Sequence, residues 1–303
     1  MDGKAMLRSL RDQLLESSDS GFMNDRTSYD MLYDAAVEFA ARTKCLQTTQ
    51  SITTVADQEE YTLDAEFIEL WWEDSDSQKF IKLNDGSYNY FVRYKDYSDI
   101  ILNDSADDSV TIPDSFSIVT HPDIPDQVTG TATSAGAATG GLCTLTDTAA
   151  DFSDVEAGDE VHNTTDGSDG VVVSKTSTTA LKVALFGGTD DDFTSADAYI
   201  IQPQGRLRLV FDPPPSTASY TGTIPYIARP APVYSDYGIY QIQAQYHPAL
   251  VTYALWKYKY RDSKPNFGDS LYLQWNDVIR RANTVTKGSF NRKQVSTSWR
   301  GRR

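Results

Sequence analysis

The residues able to do acid–base, nucleophilic or metal chemistry are few and scattered. Of the three histidines, His121 and His247 each precede a proline at an element boundary, and His162 lies in a turn-rich strand. None has a serine or cysteine partner at a recognisable nucleophile elbow, so capping or packing is the role expected of each. Asp190, Asp191 and Asp192, with Asp166 and Asp169, offer the oxygens that calcium takes, but the ordered Asp-x-Asp-x-Asp-Gly loop is missing. Gly140-Gly141 and Gly187-Gly188 lack the following lysine and the strand-to-helix setting of a phosphate loop. Cys45 and Cys143 stand far apart, without the paired spacing of a metal or redox site, and both are read as small buried hydrophobes. No carboxylate pair is singled out for glycoside hydrolysis. The expectation is therefore a non-enzymatic chain with no catalytic residue, no metal and no cofactor.

Charge narrows the classes further. A formal net charge of -16 over 303 residues is unfavourable for gripping phosphate backbones, because that affinity comes from cations displacing counterions. No apolar run approaches the length of a membrane span, and Met1, Asp2, Gly3 and Lys4 do not begin a signal peptide, so a cytoplasmic origin is expected. Tyr is plentiful, at 18 residues, and tyrosine-rich surfaces are often contact surfaces. The charge is unevenly spread. From Lys287 onward there are Lys287, Arg292, Lys293, Arg300, Arg302 and Arg303 and no acid, which leaves +6 on the tail and -22 on the rest. Such a tail can be a disordered solubilising end, a DNA-touching arm or a docking arm. Trp299 beside Arg300 favours docking, since an exposed Trp flanked by Arg is the composition of an interface anchor.

Helical periodicity is confined to the two ends. Met6, Leu7, Leu10 and Leu14 recur at helical spacing before the polar Ser17 to Gly21 turn. Thr27, three residues before Asp30, suits an N-cap for a second helix with Tyr29, Leu32, Tyr33, Ala36, Val37 and Ala40 on one face. At the other end His247-Pro248 opens a helix carrying Leu250, Tyr253, Ala254 and Tyr258, with Pro265 marking the break after it. Leu271, Trp275, Val278, Ile279 and Ala282 define the last helix, expected to close at Gly288. Four amphipathic helices predict one bundle from both termini, with Leu10, Leu14, Leu32, Val37, Leu250, Tyr253, Trp275 and Ile279 in its core.

Between the ends the pattern is β. Short strands are expected at 51–55, 61–63, 67–72, 80–83, 115–120, 206–211 and 223–228. The stretch 127–203 differs in composition. It opens with a Gly, Ala, Ser and Thr-rich run and carries twelve acids against Lys175 and Lys182 alone. Strands are expected there at 142–145, 161–163, 170–175, 181–185 and 199–201, with Leu181, Val183 and Leu185 alternating with Lys182 as one wet face requires. Asp151-Phe152 leads to Gly158-Asp159 before Val161 much as Asp192-Phe193 leads to Ala196-Asp197 before Tyr199, a faint internal repeat. The expected fold class is α+β: a helical bundle from the N- and C-terminal helices, a central β-rich part, and a small β-barrel or sandwich inserted at 127–203.

With that insertion set aside, the chain resembles the head-to-tail connector (adaptor) family of tailed bacteriophages over roughly 1–126 and 204–290. The likeness rests on pattern. Asp25-Arg26 and the helix up to Arg42-Thr43 come first, then Thr48, Ile52 and Thr53, then Tyr61-Thr62-Leu63 leading to Phe67. After the insertion come Leu209-Val210-Phe211-Asp212-Pro213 and Ile224 to Pro230, then the helix from Tyr246-His247-Pro248 to Trp256-Lys257 and Leu271-Tyr272-Leu273-Gln274-Trp275. The inserted segment is similar to a β module of phage structural proteins, through Asp151-Phe152, Gly158-Asp159, Asn163 to Ser168, Gly187 to Asp190 and Phe193. The resemblance implies an adaptor core at 1–126 and 204–286 and an inserted domain at 127–203. It implies a homo-oligomeric ring, dodecameric in the family, under the portal protein in the virion neck, assembled in the host cytoplasm. Such a ring extends the channel through which double-stranded DNA passes without specific binding, and it offers a platform to the tail nozzle. The basic arm at 287–303, with Arg292, Lys293, Trp299, Arg300, Arg302 and Arg303, would then grip the portal. Rival readings are a nozzle, stopper or tube-terminating protein, or a host-glycan-binding β protein.

Overall fold

The computed structural model describes residues 1–14, 24–73, 77–102, 110–216, 219–261 and 265–295. The chain begins with helices α1 (Gly3–Leu14) and α2 (Asp25–Thr43), followed by strands β1 (Gln47–Thr53), β2 (Glu60–Thr62), β3 (Phe67–Leu70), β4 (Phe80–Asn84) and β5 (Asn89–Tyr94). A short helix, α3 (Tyr97–Leu102), and β6 (Ser115–Asp123) come next. Then follow β7 (Val128–Thr131), β8 (Cys143–Thr146), β9 (Glu160–Asn163), β10 (Ser168–Ser177), β11 (Ala180–Phe186) and β12 (Ala198–Gln202). The last elements are β13 (Arg206–Asp212), β14 (Thr221–Ala228), α4 (His247–Arg261) and α5 (Pro265–Val295).

The expected helical bundle carrying a small β insertion is overturned. The described chain is mostly β, its fourteen strands forming one six-stranded and one eight-stranded sheet. It divides into two compact units. The first is Met1–Cys45, Asp126–Pro203 and Pro230–Arg303; the second is Leu46–Pro125 and Gln204–Arg229. The helices from both ends thus share a unit with the β segment 126–203, and the remaining strands stand in the other.

The physical reason lies in strands β10 and β11, which are buried on both faces. Val172, Val183 and Leu185 point into the barrel core with Leu145, Phe152, Phe193 and Tyr199. Their neighbours Val171 and Ala184, with Val173 and Phe186 at the margin, point the other way into the core of α1, α2, α4 and α5. The wet face expected of this segment is therefore covered over much of its length, and the helical stripes close on a sheet as well as on one another. Burying apolar area stabilises by about 25 cal/mol per Å², so a strand serving two cores ties them into one cooperative body.

Local chemistry sets the element ends. Asn24, not Thr27, caps α2: its Oδ1 accepts from the Thr27 N–H at 2.8 Å. Asp30, the expected partner of a Thr27 cap, accepts instead from Arg26 and from the Tyr234 hydroxyl. At the other end Lys44 adopts the left-handed conformation and its N–H closes on Ala40 O at 2.8 Å. Asp2 Oδ1 accepts from the Ala5 N–H at 2.8 Å and serves the start of α1 in the same way. The helix expected to stop at Gly288 continues to Val295. One interior glycine costs a helix only about 1 kcal/mol, and no proline follows it to force an end.

The six-stranded sheet runs β7-β12-β9-β10-β11-β8 and curls until its edges meet. Just beyond β7, the Thr133 N–H donates to Thr146 O of β8 at 2.7 Å. Its interior contains a duplicated turn. Phe152 and Phe193 are both fully buried, Asp159 Oδ2 accepts from Glu156 N–H, and Asp197 Oδ2 accepts from Thr194 N–H. The residue before each Asp, Gly158 (φ 100°) or Ala196 (φ 80°), has positive φ, as this turn requires. The strands that follow, β9 and β12, are antiparallel neighbours with Tyr199 opposite Asn163.

The eight-stranded sheet runs β1-β14-β4-β5-β6-β13-β2, with β3 also paired to β14, around Leu63, Ile81, Leu83, Val92, Phe116, Leu209, Phe211 and Ile224. Its edge strands β1 and β2 are linked by side chains. The Gln50 amide donates to Thr62 O and accepts from Asp64 N–H, both at 3.0 Å, and the Tyr61 hydroxyl accepts from Val55 N–H at 3.0 Å.

Candidate assembly surface

In the first unit the chemistry is that of packing. Trp275 on α5 is fully buried between Phe39 of α2 (ring centroids 5.6 Å) and Tyr253 of α4 (4.7 Å). Trp256 of α4 lies 4.7 Å from Tyr272 of α5. Polar contacts at the rim hold the same helices in register. Lys257 donates to Asp34 at 2.5 Å, and Arg42 reaches Asn276 at 3.2 Å and Tyr272 at 3.4 Å while pairing with Glu38. Of the core residues expected from sequence, Leu10, Leu32, Leu250, Tyr253, Trp275 and Ile279 are buried in this cluster, Leu14 packs at its margin, and Val37 is half-buried.

Arg26 joins the helices to the barrel. Its guanidinium donates to Asp30 at 3.0 Å and to Glu160 of β9 at 2.8 Å, and it lies 5.5 Å from the Tyr234 ring centroid and 5.9 Å from that of Phe186. Tyr234 completes the cluster by donating to Asp30 at 2.7 Å. Burial, reinforced by the Asp30 charge, raises the Tyr234 phenol far above its ordinary pKa, so this hydroxyl stays a donor across the physiological range. The sequence flagged Tyr29, Tyr33 and Asp30 only as helix residues, and the loop holding Tyr234 gave no periodic signal.

The outward face of α5 is a surface of a different kind. Leu273 and Val285 are about two-thirds exposed, at 66 % and 63 %, with Gln274, Asp277, Arg280, Arg281 and Thr284 exposed between them. Among residues whose side chains are described, Ala282 is the last of α5 buried in the helix cluster. The helix backbone then runs on through Arg292 and Lys293, whose side chains lie outside the described residues, as do Trp299, Arg300, Arg302 and Arg303 altogether.

The titratable residues weighed from sequence have structural surroundings. His247 is buried at the start of α4, with Nε2 2.8 Å from Ile242 O and Nδ1 3.0 Å from Met1 O. His162 stands opposite Asp169 in the sheet, Nδ1 to Oδ1 2.6 Å. The side chain of His121, in β6, lies outside the described residues. Asp166 accepts from Asn163 and Thr189, and Asp190 accepts from the Asp191 N–H, so these carboxylates organise their own turns. Among the described residues no three His, Cys, Asp or Glu side chains group as a metal site. Cys143 is buried in the barrel, where desolvation, helped by Asp192 and Asp191, pushes its thiol up to about 12. The expectation that both cysteines are buried fails at Cys45, which is exposed in the turn between α2 and β1.

No described helix is long and apolar enough to cross a membrane. The chain matches no protein-family model and no curated protein.

Proposed function

We propose that this chain is a head-to-tail adaptor of a tailed bacteriophage: a non-enzymatic ring subunit under the portal that extends the DNA channel and seats the tail nozzle. One observation carries the reading. The long helix α5 is clamped in its first half by Trp275 in a core drawn from both ends of the chain, and it leads directly into the segment that holds six cations and no acid. A long helix followed in sequence by a cationic, tryptophan-bearing segment suits docking onto a neighbouring ring, because Trp and Arg are the residues that most often dominate interface energy. The acidity of the remaining chain supports the channel role, since a negative lumen repels passing phosphates and gives the duplex no point of adhesion.

Locating the chain by electron microscopy of the intact particle tests the reading. The expected image has a ring of copies directly beneath the portal, twelve if the family stoichiometry holds, with α5 pointing toward it. Density for this chain at the tail tip or on the capsid shell would refute it.

A further inference from the structure

The hairpin β4–β5 reverses the charge of its surroundings. Residues 46–73 hold seven acids and no Lys or Arg, and residues 96–125 likewise hold seven acids and none. Every cation of the span 46–125 falls within residues 77–95: Lys79, Lys82, Arg93 and Lys95. The one acid there, Asp85, is consumed by the turn, accepting from Ser87 N–H at 2.7 Å, Tyr88 N–H at 2.6 Å and the Tyr90 hydroxyl at 2.8 Å. These 19 residues therefore carry +3, and the rest of the chain carries -19.

Strand alternation sorts the hairpin into two faces. Ile81, Leu83 and Val92 turn inward and are buried. On the outward face Phe80 stands opposite Arg93, and Lys82 stands opposite Phe91, so rings and cations alternate across the pair. Phe91 is 63 % exposed, its ring edge-on to Phe80 at 5.5 Å. Trp72 extends the row at 5.7 Å from Phe80, and Trp71 lies 6.0 Å beyond it. Lys79 is paired with Glu73 at the near end. Such a patch has the make-up of an interface centre, rich in aromatic rings and Arg and poor in acids.

We infer that this aromatic, cationic hairpin is a self-assembly face, occupied by an acidic surface of a second copy of the chain. Charge complementarity selects the occupant, because a hairpin segment at +3, its Lys79 met by Glu73, faces copies that carry -19 elsewhere. The patch cannot pair with itself, since like charges would meet, so the contact is heterologous: a different surface of each copy is engaged, and a series of such contacts generates a ring or a filament. Only the closure into a ring rests on the adaptor reading; the self-contact stands on the charge pattern and the exposed rings. A nucleic acid would answer the same cations but would meet the field of a chain at -16.

Sedimentation of the full chain at 50 mM and 500 mM NaCl tests this, with the double variant Lys82→Glu/Arg93→Glu and the single variant Phe91→Ser beside it. The expected result is concentration-dependent association at low salt that weakens about tenfold or more at high salt. It is lost in the double variant and weakened in Phe91→Ser, with circular dichroism unchanged. A chain monomeric at low salt, or variants that associate like the parent, overturns the inference. So does a fluorescent 20-nucleotide single strand that binds the parent and not the double variant, which would assign the face to nucleic acid. Loss of neck location with association intact strikes only the adaptor reading, and the reverse strikes only this one.

Discussion

In the six-stranded barrel the edge strands meet through a main-chain bond, the Thr133 N–H donating to Thr146 O with the Thr133 hydroxyl beside it, whereas in the eight-stranded sheet β1 and β2 are held by side chains alone, the Gln50 amide and the Tyr61 hydroxyl. Both solve the same problem, since an uncovered edge is a template for unwanted pairing. The problem is acute at β1, seven residues without a charge or a proline. Main-chain closure tolerates almost any side chain at the seam. Side-chain closure places the burden on two residues. The interiors differ in a parallel way: the barrel repeats one Phe–Asp turn ahead of two neighbouring strands, and the eight-stranded sheet has a single mixed core. Redundancy in one and dependence on particular side chains in the other are the contrast to probe.

The largest effect is expected inside the barrel. Phe152→Ala and Phe193→Ala should each destabilise the first unit by about 3–5 kcal/mol, the range for emptying a buried aromatic site. If the two turns are equivalent, the losses agree to within about 1 kcal/mol in urea titrations. One variant near neutral and the other severe would show that the repeat is formal only. Gln50→Ala should have a smaller effect, about 1 kcal/mol, because water can reach the Thr62 carbonyl and Asp64 amide it leaves behind. Its signature is faster hydrogen exchange at Asp64 and along β1. Thr133→Val keeps the main-chain bond that closes the barrel but removes the hydroxyl that donates to Thr146 O at 3.1 Å and accepts from Thr148 N–H at 3.4 Å, so exchange should quicken at Thr148 and stay unchanged at Thr133. Equal exchange in the two variants would erase the distinction between the closures.

The smallest effect belongs to the thiols. Cys143, held neutral to about pH 12, should resist iodoacetamide at pH 8 while exposed Cys45 is modified. An unfolded thiol ionises near pH 8.5, so the folded state keeps the contribution of a neutral Cys143 below that pH. It loses this contribution progressively as pH rises toward 12. Alkylation of Cys143 in the folded chain at pH 8 would mean that the barrel opens readily.

Much of this was legible in the residues. Leu, Met and Trp at helical spacing marked the terminal helices, and the Phe–Asp echo marked the duplicated turn. Two features escaped for identifiable reasons. The expected fold class fails because Leu181, Val183 and Leu185 are taken to alternate with a wet face, while the continuous apolar runs Val171-Val172-Val173 and Val183-Ala184-Leu185-Phe186 are given no weight. A continuous run is the mark of a strand buried on both faces, and it is what couples barrel to helices. Strand β5 is not among the expected strands, although Tyr90, Val92 and Tyr94 alternate with Asn89, Phe91 and Arg93. With it goes the hairpin that gathers the cations of residues 46–125. The proposed docking role of the C-terminal arm rests on composition alone, whereas Tyr234 and the Arg26 cluster depend on a loop brought in from over 200 residues away, which no local pattern encodes.

Co-sedimentation with purified portal rings, comparing the full chain with one lacking Gln294 to Arg303, tests the central claim most directly. The account predicts that the full chain travels with the portal and that the shortened chain, still folded by circular dichroism, stays behind. A shortened chain that pellets with the portal as efficiently as the full one, or a full chain that never does, would contradict it.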